Sequence, residues 1–189
     1  MSLKPIPFGL ARYGHVLSTR ELGAVIVREL QRDAADATGL LVGFWDVEVV
    51  TPAVLDEIVM GLRGWLAGVP VGERMLAVAG YNDDVKESLL MVLERRKMAL
   101  AALEDDQIKL LGGNRQLAAT VKEAQNLHSF DAPELAERLE LKMPNLHQRL
   151  QALMEAGAVT REPDPTATRG RKHRYTAVNS GDLASLTPA

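Results

Sequence analysis

The sequence predicts an α/β amino-terminal domain of four or five strands and three helices, followed by a smaller α+β domain. Three observations predict it. Short apolar runs of the buried-strand kind alternate with helix-periodic stretches up to Leu111. Gly112-Gly113-Asn114 then interrupts the chain, because paired glycines hold neither helix nor strand cheaply. Beyond them the pattern turns mostly helical and closes on a polar hairpin. The domains are therefore expected at 1–112 and 113–189.

In the first domain, residues 8–17 read as a strand. Ser18-Thr19-Arg20-Glu21 follows as a capping box, with Ser18 accepting from the Glu21 amide. The helix after it lines up Leu22, Val25, Ile26 and Leu30. Residues 40–45 form a buried-type strand. Thr51-Pro52 opens a second helix, cap and then proline in the first turn, with Val54, Leu55, Ile58, Val59, Leu62 and Trp65 as its apolar stripe. Residues 75–79 give another buried strand. Asn82 or Asp83 caps a third helix that turns Val85, Leu89, Val92 and Leu93 inward. Residues 98–103 and 107–111 read as one or two strands around Asp105-Asp106.

After Asn114 a helix runs to about Leu127, with Leu117, Val121 and Ala124 on one face. Asp131 caps a short helix whose first turn holds Pro133 and Glu134, an acid suited to the positive helix end. That helix stops near Lys142. Met143-Pro144 begins the next, with Leu146, Leu150, Leu153 and Met154 inward and Gly157 as a left-handed terminator. Two helices joined by three or four residues, the second polar on its outer face, form a helix-turn-helix arrangement. The outer set is Asn145, His147, Gln148, Arg149 and Gln151. Such amides pair with adenine, and arginine with guanine or phosphate. Residues 158–162 then read as a strand and residues 171–178 as its return. The prolines and glycine between them exclude a strand interior.

The chain holds 22 Lys/Arg against 25 Asp/Glu, a net charge of -3. The charge is unevenly spread. Residues 1–112 carry 12 cations and 16 acids, whereas residues 113–189 carry 10 and 9. The stretch TRGRKHRY, Thr168 to Tyr175, puts four Lys/Arg and one His into eight residues without an acid. A duplex carries one phosphate charge per about 1.7 Å of its axis, so a cationic hairpin tip that releases counterions gains affinity there. Tyr175 reads as a packing residue of the hairpin.

The segments DAPELAERLELKMPNLHQRLQALMEAGAVTRE and RGRKHRYTAV resemble the winged helix-turn-helix domain of bacterial transcription regulators, over roughly residues 114–178. The resemblance implies that Asn145, His147, Gln148, Arg149 and Gln151 enter a major groove, with Lys142 just ahead of them. It also implies that Arg169, Arg171 and Lys172, joined by His173 or Arg174, meet the backbone or the adjacent minor groove. VLSTRELGAVIVREL and LLVGFWDVEVVTPAVLDEIVMGL resemble the STAS-like domains of anti-sigma-factor antagonists and transporter tails, over roughly residues 8–111. Antagonists of that family are phosphorylated on a serine at the start of the helix after the strand. Here Pro52 takes that position and Thr51 reads as a helix cap, so the resemblance implies a dimerisation, partner-binding or small-ligand module.

The expectation is thus a cytoplasmic DNA-binding regulator, acting as a homodimer on double-stranded DNA, without catalytic residues, cofactor or metal. The alternative is a protein-interaction adaptor or a sigma-pathway antagonist that does not touch DNA. Cysteine is absent, which excludes disulfides and thiolate metal sites and fits a reducing compartment. His15, His128, His147 and His173 lack zinc-type spacing, and no glycine loop cradles a phosphate. Asp46 and Glu48, after a buried strand, and the pairs Asp83-Asp84 and Asp105-Asp106 read as turn and helix-start acids. No apolar run is long enough to span a bilayer, and no secretion signal stands at the start.

Overall fold

A computed structural model describes residues 5–164, 173–183 and 186–187. Its larger part is a mixed α/β layer. Strands β1 (Pro5–Gly9), β3 (Gly39–Gly43), β5 (Met75–Ala79), β6 (Ala99–Glu104) and β7 (Gln107–Gly112) form a sheet in that spatial order. The first four are parallel and β7 returns antiparallel to β6. Helices α1 (Arg20–Asp33), α2 (Pro52–Ala67) and α3 (Asp83–Arg96) make the crossovers. Strands added one after another in one direction by right-handed crossovers put all three helices on the same face.

The strands are apolar throughout because both faces of the sheet are covered. Leu40, Val42, Leu76, Val78, Leu100 and Ala102 share one core with α1–α3. Their alternate neighbours Leu41, Met75, Ala77, Ala79 and Ala101 belong to a second core, built with residues 117–183. Side chains alternate across a strand, so the run Met75–Ala79 feeds both cores in turn. The face given to the second core is rich in alanine, which lets a helix end come close.

Residues 8–17 are not one strand. β1 ends at Gly9, a short 3-10 turn occupies Ala11–Tyr13, and β2 (Val16–Leu17) leaves the main sheet to pair in parallel with β4 (Val49–Val50). The cap of α1 is Thr19, whose Oγ1 accepts from Leu22 N at 3.2 Å, and not Ser18. Thr51 occupies the cap position of α2, but its hydroxyl donates to Ser18 O at 3.1 Å rather than capping. Asn82 caps α3, accepting from Val85 N at 2.9 Å. Asp105 and Asp106 both take positive φ, 49° and 58°, and close the β6–β7 hairpin in two residues.

Gly112 and Gly113 take φ of 72° and 76°, after which Asn114 caps α4 (Arg115–Leu127). Then come β8 (Ser129–Phe130), α5 (Ala132–Arg138), α6 (Met143–Glu155), β9 (Val159–Pro163), β10 (His173–Ala177) and α7 (Ser180–Leu183). Strands β8, β10 and β9 make a three-stranded antiparallel sheet in that order. Phe130 and Tyr175 stack at 5.8 Å with ring planes 12° apart, which confirms Tyr175 as a packing residue.

This second part is fastened to the first mainly through backbone. The turn after α6 enters beside β5 and β6: Leu76 N donates to Gly157 O at 3.2 Å, and Ala101 N to Ala156 O at 2.9 Å. Arg161 N donates to Gly72 O at 2.8 Å, and Gln125 Nε2 to Ile108 O at 2.8 Å. No helix among the described residues is long and apolar enough to cross a membrane.

Candidate nucleic-acid interface

The site is built on α5 and α6. Asp131 accepts from Glu134 N at 2.9 Å and starts α5. Glu140, at φ 52°, ends it, with Leu141 N donating to Ala136 O and Glu140 N to Glu137 O. Shortly after, α6 starts beyond Lys142, with Pro144 in its first turn. Leu146, Leu150, Leu153 and Met154 are buried and fix its rotation. That rotation leaves Asn145, His147, Gln148 and Gln151 exposed, with exposed Lys142 just before them.

Arg149 has another engagement. It is half-buried, and its guanidinium donates to Thr120 Oγ1 and to Gln116 Oε1, both at 3.2 Å. Thr120 is itself buried and donates to Gln116 O at 2.8 Å. Arg149 thus clips α6 to α4. Gln151 donates to Glu155 Oε1 at 2.8 Å, one helical turn on.

The hairpin pairs His173 with Pro163, Arg174 with Glu162 and Tyr175 with Arg161. Arg169, Arg171 and Lys172 lie outside the described residues. His173 is half-buried at the first position of β10. Arg174 is exposed, and its guanidinium donates to Ser129 Oγ at 2.9 Å and Ser129 O at 3.3 Å, stitching β10 to β8. Sequence reasoning missed both arginine clips, since neither Gln116 nor Ser129 is near its partner along the chain.

It also missed a cleft of about 1080 Å³ beside α6. Asn145, Gln148 and Arg149 line one wall, and Arg63, Arg96 and Lys97 of the first part line the other. Behind that far wall Asp56 is buried among arginines. Arg96 grips it with two bonds of 2.8 and 2.6 Å, Arg95 lies at 2.9 Å and Arg20 at 3.9 Å. Arg96, and then Arg95, hold its carboxyl down at about 2.

Asp46 has φ 63° and sits in the turn after β3, with its carbonyl against His15 Nδ1. Trp65 is buried, its Nε1 donating to Ala34 O at 2.8 Å, and half-buried Trp45 packs against the second core. Among the described residues no group of three His, Asp or Glu is placed to hold a metal ion. No protein-family model matches the chain, and no curated protein matches it.

Proposed function

We propose that the protein is a DNA-binding transcription regulator. Residues 113–189 act as a winged helix-turn-helix domain, and residues 1–112 as a STAS-like module for oligomerisation or signal input. The observation that carries this reading is the order α4-β8-α5-α6-β9-β10, with the polar face of α6 outward beside an antiparallel hairpin. In this reading α6 enters the major groove, where Asn145 and Gln148 read base edges and Lys142 and His147 position the helix. The basic hairpin tip, with Arg169, Arg171 and Lys172, meets phosphate. Arg149 and Arg174 brace the frame as well, each bonding through two guanidinium nitrogens within the protein and keeping further N–H groups for phosphate. The regulator works as a homodimer on half-sites about one helical turn apart.

The experiment is a salt titration of duplex binding. Binding weakens steeply with salt, and Arg171→Ala with Lys172→Ala flattens the slope by about 0.9 for each phosphate no longer neutralised. Failure to bind any duplex in dilute buffer refutes the reading and favours the adaptor alternative. Sedimentation of the purified chain tests the dimer: a monomer at every concentration removes it.

A further inference from the structure

A helix lying in a major groove has a sugar-phosphate strand on each side. The cleft beside α6 occupies one of those sides, and its far wall belongs to the first part of the chain. Two cations on that wall stand apart from their neighbours. The Arg63 and Lys97 side chains are exposed and make no hydrogen bond or ion pair with any described residue. Most other cations of the first part are engaged. Arg20, Arg95 and Arg96 surround Asp56, Lys86 and Lys109 flank Glu104, and Arg74 donates to Trp65 O and Ala35 O. Two acids, Glu94 and Glu155, share the cleft, and Glu155 is occupied by Gln151. The positive side chains lining the cleft outnumber the negative ones.

We infer that Arg63 and Lys97 hold the phosphate strand flanking α6, so the duplex-binding surface crosses from the second part of the chain into the first. This inference rests on the DNA-binding reading and deepens it. The backbone bonds at Ala156 and Gly157 fix the distance between the two walls, so the first part sets the register in which α6 meets the groove. Glu94 opposes the contact and limits non-specific binding.

The test compares full-length variants on a duplex of random sequence across a salt series. Arg63→Ala with Lys97→Ala makes the slope of log affinity against log salt shallower by about 1.8, two phosphates at about 0.9 each. Arg28→Ala with Arg32→Ala, which removes two exposed charges from α1, leaves the slope unchanged. Glu94→Gln strengthens binding. Because the chain lacks cysteine, Lys97→Cys can carry an iron chelate that cuts nearby backbone. Cuts on the strand flanking α6 support the proposal, and cutting no stronger than from Arg28→Cys overturns it. An unchanged slope in the Arg63/Lys97 variant, or an equal drop in the α1 control, also overturns it while leaving DNA binding intact. A wild-type chain that ignores DNA removes both readings together.

Discussion

Replacing Gly157 with alanine tests how the two parts of the chain are joined. Gly157 takes φ 78°, and the turn is a Schellman closure: Ala158 N donates to Leu153 O and Gly157 N to Met154 O. A side chain in this left-handed region costs about 1–2 kcal/mol. The space is closed as well. An added Cβ would lie 2.7 Å from both Leu76 N and Leu76 O, and 2.5 Å from Leu76 Cβ. Leu76 sits in the centre of the sheet and is fully buried, so the turn must back away. Backing away breaks the bonds to Leu76 N and Ala101 N, and each buried amide left without a partner costs about 1–3 kcal/mol. The sum is about 3–8 kcal/mol, against a typical total of about 5–15 kcal/mol.

At about 2–4 °C per kcal/mol for a chain of this size, the melting temperature falls by about 6–32 °C. Thermal and denaturant unfolding followed by circular dichroism measure it. Gly181→Ala is the control, since nothing lies within 4 Å of its Cβ and its φ is not positive. It is expected within about 0.5 kcal/mol of wild type. A Gly157→Ala protein within about 1 kcal/mol of wild type would refute the reasoning, because the turn would then have room the structure denies it.

Asp56 makes stability sensitive to acid. Its carboxyl titrates at about 2 when folded, below the unfolded value near 3.9, so its contribution is complete above about pH 4 and declines as pH falls towards 2. Asp56→Asn removes about 1–2 kcal/mol at pH 7, after allowance for its exposed arginine partners, and flattens the stability profile between about pH 4 and 2. A profile identical to wild type contradicts this. Arg149→Ala destabilises by about 1–2 kcal/mol by freeing buried Thr120 from its partner on α6, yet leaves sequence preference intact. A changed preference in a DNA selection assay would return Arg149 to the groove. Asn145→Ala and Gln148→Ala each reduce discrimination among DNA sequences by about 1–3 kcal/mol for each base edge no longer read. Uniform weakening on all sequences would make them positioning residues.

Much of the larger layer was legible because its strands and helices advertise themselves locally. The apolar run at 75–79 needs burial on two faces, and the double glycine at 112–113 marks the change of architecture. From sequence, residues 98–111 read as one or two strands around Asp105-Asp106, and the structure resolves them into a hairpin because both aspartates take positive φ. The missed features depend on distant partners. Ser18 and Thr19 are both competent caps, and only the entry angle of the chain selects Thr19. Val16 pairs with Val49 outside the main sheet, which no local pattern announces. β8 is two residues long, too short for a period to appear. The outward residues of α6 could be read from its apolar stripe, but Arg149 sits at the stripe's margin, and its fate depends on where α4 lies.

The same dependence explains why the cleft escaped sequence reasoning and why it has a fixed width. The two walls are far apart along the chain: one comes from α6 and the other from α2 and the end of α3. What relates them is the alanine-rich face of the sheet. Ala77, Ala79 and Ala101 share the second core with Leu150, Leu153 and Met154 of α6, and larger side chains would hold the helix further out. Packed interfaces of this kind do not deform continuously, since a displacement of about 1 Å weakens dispersion attraction and hydrogen bonds together. A movement of β5 or β6 must therefore carry the end of α6 with it or break the joint at Gly157. The position of the polar face of α6 is set as much by the sheet beneath it as by its own sequence.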